Sequence, residues 1–265
     1  MIEDPLGCVE YDETGQGPSL LLVPGSCSTG SAWRAVTVAL EGRYRTIATS
    51  LPGYGGTAER RTGADRSIGL VAEAIERAIS QAGSPVNLVG HSFGGEVALA
   101  VALRGRVELH SLAIFEAPAP DMLRAFGRTE PYGRFRAMTE AYLSDFGSGN
   151  REAIGAMIDF YGGPGTFASW PRQIRSHVAN ATATNILDWQ SAYGAGYDPD
   201  ALAELKLPVL VVVGGESHPA VREANSLIAD AIPGAAFATI EGASHFMLAT
   251  HPKEVASLIV RHVSR

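Results

Sequence analysis

The chain has 265 residues, of which 46% are hydrophobic and 18% are charged, a composition typical of a globular protein with one large α/β domain or two small ones. Its net charge of -7 argues against nucleic acid or an anionic membrane surface as a partner. No apolar run approaches the roughly 20 residues of a membrane helix, and the N-terminal residues lack the pattern of a signal peptide.

In the first part of the chain, short apolar runs alternate with helical patterns. An apolar run bounded by turn residues predicts a buried strand, and apolar residues at three-then-four spacing predict an amphipathic helix. These signals predict the start of a short hairpin at 8–11, a buried strand at 19–23, a helix over about 32–40, a strand at 45–49 and a helix over 68–79.

The central motif is Gly-His-Ser-Phe-Gly at 90–94, which ends an apolar run starting at Val86 and precedes a helical pattern over 93–104. A strand that turns directly into a helix holds its serine in a strained backbone conformation at the edge of a sheet. Side chains two residues before and after the serine would collide with neighbouring backbone, and glycines occupy both positions. We therefore predict that Ser92 is a nucleophile rather than part of an ordinary turn.

After this helix, residues 109–115 predict another strand, and residues 119–198 then change in character. Strand-like runs are absent from 119–198, where short helical patches alternate with glycine and proline. Alternation of strands and helices resumes afterwards, with strands predicted at 207–213 and 235–240 and helices at 219–231 and 252–263.

Alternating strands and helices imply an α/β fold with a mostly parallel central sheet and helices on both faces. We assign residues 1–118 and 199–265 to this core. Residues 119–198 are assigned to a helical cap insertion over the carboxyl edge of the sheet.

The predicted insertion contains more than half of the aromatic residues of the chain. These side chains either form the core of a small helical layer or line an apolar pocket above Ser92, and the sequence does not sort them. They include Tyr132, Phe135, Phe160, Trp170 and Trp189.

Four segments resemble motifs of the α/β-hydrolase fold family, in that family's order and spacing. They are Val-Pro-Gly-Ser at 23–26, Leu-Pro-Gly-Tyr-Gly at 51–55, the Ser92 motif, and Gly-Ala-Ser-His-Phe at 242–246. The resemblance extends over nearly the whole chain. It implies a nucleophile, an acid and a histidine that follow one another in this order.

The resemblance places the general base at His245, in the loop after the last predicted strand. An imidazole suits this role because its ordinary pKa of about 6.5 lets it accept and return a proton near neutrality. The other histidines, including His91 within the serine motif, are expected to be surface or packing residues.

The acid departs from the commonest pattern of the family. Many members have an aspartate in a Gly-Glu-x-Asp segment, whereas this chain has Gly-Glu-Ser-His at 215–218. Glu116, which follows an earlier strand, resembles the acid of a subset that includes several haloalkane dehalogenases. A carboxylate at the end of an apolar strand needs a partner, and His245 is available. Glu116 is the first candidate, Glu216 is the alternative and Asp121 is the third.

The resemblance also implies an oxyanion hole made of two backbone N–H groups, those of Phe93 and Ser26. Phe93 follows the nucleophile at a helix N-terminus, where the helix dipole favours negative charge. Ser26 follows Pro24-Gly25, where the family commonly has His-Gly. The donor is a backbone group, so this change of side chain leaves it in place.

Together these residues predict a cofactor-free serine hydrolase that cleaves a small to medium carboxylic ester with an apolar part. A carbon–carbon bond hydrolase, a lyase and a slow-turnover ligand receptor of the same fold stay open as alternatives. The two cysteines, Cys8 and Cys27, make no disulfide framework, and no Cys and His residues have the spacing of a metal site. We expect a cytoplasmic enzyme with no metal, a small-molecule substrate, and neither nucleic acid nor membrane as partner; its oligomeric state is not predicted.

Overall fold

The computed structural model describes residues 1–264, which form a seven-stranded sheet, a separate hairpin and the helices that surround them. The hairpin pairs β1 (Ile2–Asp4) with β2 (Gly7–Val9). The large sheet contains β3 (Asp12–Thr14), β4 (Ser19–Val23), β5 (Arg45–Ala48), β6 (Val86–His91), β7 (Leu109–Phe115), β8 (Val209–Gly214) and β9 (Ala236–Ile240). Their order is β3-β5-β4-β6-β7-β8-β9, and each neighbouring pair is parallel apart from the pair of β3 and β5.

Helices connect the strands and cover both faces of the sheet. Those outside the β7–β8 connection are α1 (Arg34–Ala39), which follows a 3₁₀ turn (Gly30–Trp33), α2 (Ile68–Ala82), α3 (Phe93–Arg104), α11 (Pro219–Ala231), α12 (Met247–Thr250) and α13 (Pro252–Val263). Between β7 and β8 lie α4 (Pro120–Ala125), α5 (Thr129–Gly147), α6 (Gly155–Gly162), α7 (Thr166–Ser169), α8 (Arg172–Asn180), α9 (Thr182–Tyr193) and α10 (Pro199–Ala203).

The central strands are apolar because helices bury them on both faces. Every residue of β6 and β8 is buried, which accounts for their nearly continuous apolar sequences. Successive side chains of a strand point to opposite faces. Leu88 therefore packs in the cluster that contains residues of α2 and α3, whereas Val89 packs in the cluster that contains residues of α1 and α13. The sheet thus separates two hydrophobic cores.

This architecture confirms the predicted α/β class with a mostly parallel sheet and helices on both faces. The bounds of several elements also match the prediction, namely those of β4, α3, β7, α11 and α13. In residues 1–264, none of the helices combines the length and apolar character needed to cross a membrane. The cytoplasmic location stays a prediction.

The hairpin predicted to start at 8–11 lies earlier in the chain, because β1 pairs with β2, which ends at Val9. The backbone of Glu10 bonds to side chains instead of a strand partner. Its N–H donates to Thr57 Oγ1 at 3.0 Å, and its carbonyl accepts from Thr49 Oγ1 at 2.6 Å. These threonines satisfy the backbone where the apolar pattern alone suggested a ladder.

Helices α4 to α9 agree with the helical character predicted for residues 119–198, and α10 follows directly after that range. In the part of the chain that the structure describes, no strand interrupts them between β7 and β8. The division into a core and a cap stays a prediction. Arg265, the last residue of the predicted core range, lies outside the described residues.

A buried acid lies in the first turn of α3. Glu96 is 0% exposed, and its Oε2 accepts the N–H of Ala119 at 3.2 Å. Burial raises the pKa of Glu96 to about 8, because the charged form loses its hydration. The folded protein therefore holds this side chain protonated at neutral pH.

We expect the Glu96→Gln variant to gain stability over the wild type as the pH rises from 5 to 8. In the wild type, the unfolded chain ionises Glu96 near its ordinary pKa of 4.5, whereas the folded chain keeps the proton up to about pH 8. The contribution of Glu96 to the free energy of unfolding therefore falls with rising pH in this interval, by about 1.4 kcal/mol per pH unit at most. Glutamine has no proton to lose. Urea unfolding at several pH values measures the difference.

The control for this experiment is Glu254→Gln, which removes an exposed glutamate from α13. This variant shows how removing a surface charge changes the pH dependence of the free energy of unfolding. If Glu96→Gln follows the same trend as Glu254→Gln, Glu96 ionises at the same pH in the folded and unfolded chains.

Candidate active site

The parallel strands bring four of the predicted site residues to one edge of the sheet. Ser26 follows β4, Ser92 follows β6, Glu116 follows β7 and His245 lies in the loop after β9. The carboxyl ends of parallel strands share an edge, and ligands bind there in open α/β sheets. Residues far apart in the chain therefore lie close together.

Ser92 connects β6 directly to α3 in a strained turn. Its φ of 54° and ψ of -132° lie outside the regions that most residues adopt. A side chain at Gly94 would collide with the backbone carbonyl of Pro24, and one at Gly90 would collide with the carbonyl of Gly94. Both glycines are therefore required for the close approach of strand, helix and neighbouring loop, as the motif predicts.

A chain of hydrogen bonds links Ser92, His245 and Glu116. His245 Nδ1 lies 3.1 Å from Glu116 Oε2 and donates to this carboxylate oxygen. His245 Nε2 is then the acceptor for the Ser92 hydroxyl, at 3.0 Å. The second oxygen of Glu116 accepts the N–H of Gly214 at 2.7 Å, so this fully buried carboxylate has a partner at each oxygen. The three side chains have the geometry of a nucleophile, a base and an orienting acid, while their catalytic roles stay predictions.

The other two carboxylates considered in the sequence analysis lie elsewhere. Glu216 is exposed, and its backbone N–H donates to Ala243 at 2.9 Å. Asp121 Oδ2 accepts the N–H groups of Gly196 and Tyr197. The geometry thus favours Glu116 over both as the partner of His245.

His218, which occupies the position of the family's usual aspartate, has a structural contact. Its Nδ1 accepts the N–H of Ala220 at 3.2 Å and so caps α11. Its ring also stacks on Phe160, with centroids 3.9 Å apart. These contacts account for a histidine at this position.

The two predicted oxyanion donors lie beside Ser92. Phe93 is the first residue of α3, where helical N–H groups have no intrahelical acceptor. A Cβ atom at Gly25 would lie 2.8 Å from the Cβ of Ser92, so the loop that contains Ser26 packs directly against the serine. Neither N–H, of Phe93 or of Ser26, donates to another residue within 1–264. Their role as oxyanion donors stays a prediction.

His91, which the sequence predicts to be a surface or packing residue, contacts the site. Its Nε2 lies 2.8 Å from the backbone carbonyl of His245 and donates to it. Burial, together with the nearby His245, lowers the pKa of His91 to about 3, so its ring is neutral. This hydrogen bond holds the loop that presents His245.

A cavity of about 420 Å³ lies above Ser92. Its walls are mainly apolar, and the helices between β7 and β8 supply much of them, including Met157, Ile158, Tyr161, Trp170 and Trp189. The structure thus sorts the aromatic residues that the sequence left unsorted. In the described residues, no group of three or more His, Cys, Asp and Glu side chains could hold a metal ion.

The remaining aromatic residues named above pack away from the cavity. Phe135 is fully buried and contacts Phe160 and Trp189, with ring centroids 5.2 and 5.9 Å apart. Tyr132 packs edge-on against Tyr193. These residues form the core of the helical layer, so both interpretations of the aromatic set hold for different members.

Two residues of the cavity wall, Tyr161 and Asp188, contact predicted site residues but have no signal in the sequence. Tyr161 stacks on His245 with ring centroids 4.0 Å apart, and Asp188 accepts the Ser26 hydroxyl at 2.6 Å. Each is one of many aromatic or acidic residues in its segment, so no local signal distinguishes it. Only the folded chain brings each residue to the site.

Comparison with known proteins identifies relatives over almost the whole chain. A family model described as "Alpha/beta hydrolase family" matches residues 20–258. The pimeloyl-[acyl-carrier protein] methyl ester esterase of Aeromonas salmonicida is 27% identical over 266 residues, which cover 95% of this chain and 97% of that protein.

Solved structures share the fold at lower sequence identity. An esterase from Exiguobacterium antarcticum has a TM-score of 0.76 at 20% identity, covering 97% of this chain and 96% of that one. A bromoperoxidase from Bacillus anthracis has a TM-score of 0.74 at 20% identity, covering 97% and 95%. Likeness at this identity shows the fold alone.

We expect Gly25→Ala to slow the reaction of Ser92 with a fluorophosphonate probe by about a hundredfold or more. The added methyl group would lie 2.8 Å from the Cβ of Ser92, so the loop must shift away from the serine. Loss of one oxyanion donor typically lowers rates by about a hundred- to a thousandfold. Mass spectrometry of the labelled protein measures the rate.

The matched control is Gly133→Ala on α5, where no atom lies within 4 Å of an added Cβ. This variant should label at the wild-type rate, because alanine suits a helix better than glycine. Wild-type labelling of Gly25→Ala would show that the loop does not have to pack against Ser92.

Proposed function

The chain belongs to the alpha/beta hydrolase family and is an ester hydrolase, and we propose that it cleaves a small to medium carboxylic ester through an acyl-enzyme on Ser92. The observation that best supports this mechanism is the hydrogen-bonded chain from Ser92 through His245 to the buried Glu116. This series of hydrogen bonds ends at Ser92, which lines an apolar cavity where a substrate carbonyl can reach it.

In the first step, Ser92 Oγ attacks the ester carbonyl carbon. Its proton passes to His245 Nε2, 3.0 Å away, while the new C–O bond forms. Glu116 holds the imidazole through Nδ1 and offsets the positive charge that develops on the ring. Because Glu116 is fully buried, water does not screen this interaction.

The oxyanion of the tetrahedral intermediate accepts hydrogen bonds from the N–H groups of Phe93 and Ser26. The helix dipole of α3 adds to this stabilisation, because Phe93 lies at its N-terminus. His245 then returns its proton to the departing alkoxide, the ester C–O bond breaks, and the acyl group stays on Ser92. A water molecule deprotonated by His245 attacks the acyl carbon next, and the acid leaves with the serine restored.

The cavity supports a substrate with an apolar part. Its volume of about 420 Å³ lies near the lower end of the range of about 300–1,000 Å³ for small-molecule sites. Trp170, Ile158 and Met157 offer apolar contacts to an acyl chain or to an apolar alcohol. The Aeromonas relative is named for a methyl ester on an acyl chain, so methyl esters of medium-length acids belong among the test substrates.

We expect steady-state hydrolysis of p-nitrophenyl esters, from acetate to dodecanoate, to peak at one chain length. The mainly apolar cavity favours the acyl chain that fills it best. Ser92→Ala should lower kcat by about ten-thousandfold or more, since the nucleophile is lost. Absorbance at the p-nitrophenolate wavelength measures both, and circular dichroism checks that the variant is folded.

The other outcomes of this panel separate the competing functions. A single burst without turnover would indicate a ligand receptor. No reaction at any chain length would favour a carbon–carbon bond hydrolase or a lyase. Turnover that survives in Ser92→Ala would overturn the acyl-enzyme mechanism.

We expect Glu116→Gln to lose most of the turnover, by about a hundredfold or more. An amide in place of the carboxylate cannot offset the charge of the imidazolium and can favour the wrong tautomer of His245. Glu216→Gln is the matched control, because Glu216 is exposed and should give wild-type kcat. The reverse pattern, with loss in Glu216→Gln alone, would make Glu216 the acid.

A further inference from the structure

Asp188 on α9 is a buried carboxylate in the cavity wall that the mechanism above does not use. It is 2% exposed. Its Oδ2 accepts the Ser26 hydroxyl at 2.6 Å and the Tyr54 hydroxyl at 2.5 Å. Its Oδ1 lies 2.8 Å from Nη1 of Arg61. One side chain of α9 thus joins two loops at the edge of the sheet.

The carboxylate of Asp188 has a positively charged partner within the protein. A buried carboxylate is costly unless it is paired and hydrogen-bonded, and Arg61 supplies the opposite charge. Arg61 has a fully buried side chain and also pairs with Glu59, at 2.7 Å. Burial raises the pKa of Asp188 to about 6, although Arg61 and the two hydroxyl groups counteract this rise. Asp188, Arg61 and Glu59 thus form a cluster of ion pairs beside the cavity.

The loop held by Asp188 is strained next to Ser26. Cys27 has a φ of 61°, in the left-handed region that residues other than glycine seldom adopt. Such a conformation persists where the surrounding contacts over-determine it. Ser28 Oγ bonds to the carbonyl of Gly25 at 2.8 Å within the loop, whereas the Ser26–Asp188 bond ties the loop to another element.

We propose that Asp188 is a positioning residue for the oxyanion hole, acting through the Ser26 side chain to aim the Ser26 N–H at the tetrahedral oxygen. This inference rests on the proposed function. The loop packs against Ser92 through Gly25 on one side and is held by Asp188 on the other. Helix α9, which lies between β7 and β8, therefore helps to form the oxyanion hole. Tyr54 supports Asp188, because its hydroxyl donates to the same carboxylate oxygen as Ser26.

The expected effect of this link is on the transition state rather than on substrate binding. An oxyanion donor must lie about 2.7–3.1 Å from the oxygen that becomes charged, which is absent in the ground state. A displacement of about 1 Å can lower a rate by about a hundredfold. Loosening Ser26 should therefore lower kcat and leave KM nearly unchanged.

The test compares Ser26→Ala, Asp188→Asn and the double variant, with the ester that the wild type hydrolyses best. Ser26→Ala removes the hydroxyl and keeps the backbone N–H. We expect kcat to fall by about tenfold to a hundredfold in each single variant, with KM within about threefold of the wild type. Because both changes break one link, the double variant should be no slower than the slower single variant.

A second readout is inhibition by an alkyl trifluoromethyl ketone whose alkyl chain matches the preferred ester. Its adduct with the serine has a charged oxygen in the hole, so the inhibition constant should rise by about as much as kcat falls. Asp121→Asn is the control, since Asp121 is a fully buried aspartate between β7 and β8 that contacts Gly196, Tyr197 and Arg124 instead of the loop. Its kcat and inhibition constant should equal those of the wild type.

Ser92→Ala, measured in parallel, separates the two proposals. Wild-type kcat and inhibition constants in Ser26→Ala and Asp188→Asn, beside an inactive Ser92→Ala, would overturn the role of Asp188 and leave the esterase mechanism standing. Equal losses in Asp121→Asn, or a rise in KM as large as the fall in kcat, would also overturn it. Turnover in Ser92→Ala would overturn the proposed function itself. If Asp188→Asn does not fold, Ser26→Ala and the ketone test the same link.

Discussion

The turn between β6 and α3 is the constraint on which the rest of this structure depends. It places a serine at φ 54° between a buried strand and a helix, and it leaves no room for a side chain at Gly90 or Gly94. The backbone carbonyl of Pro24 fills the space beside Gly94. This close approach brings the loop after β4 against Ser92, so the nucleophile and the proposed oxyanion donors are assembled by one packing arrangement.

The ionisable side chains around Ser92 are buried and hydrogen-bonded. Glu116 is fully buried with a partner at each oxygen, and its own φ of 56° shows that the chain adopts a strained conformation to present it. His91 is held neutral by burial beside His245 and supports that loop through a backbone carbonyl. Two histidines can therefore lie close together without mutual repulsion, and His245 alone faces the carboxylate.

The helices between β7 and β8 contribute more than an apolar cover. Tyr161 stacks on His245 and Asp188 binds the loop of Ser26, so both ends of the proposed machinery contact this segment. Apolar walls beside the site strengthen each electrostatic interaction there, because they displace part of the surrounding water. The shape of the cavity and the precision of the site thus depend on the same helices.

The sequence by itself determined the α/β class, the positions of most strands and of most helices outside 119–198, and the candidates Ser92, His245 and Glu116. It could do so because apolar runs, helical periodicity and the glycines of a tight turn are local signals. The contact of His245 with Glu116, which the sequence predicted only as the first of three candidates, the sorting of Trp170 from Phe135, and the contact of Asp188 with Ser26 depend on the tertiary structure. The Glu116–His245 bond joins residues 129 positions apart and the Ser26–Asp188 bond joins residues 162 positions apart. No local pattern encodes such a distance, because it follows from the order of strands in the sheet and from the helices packed above its edge.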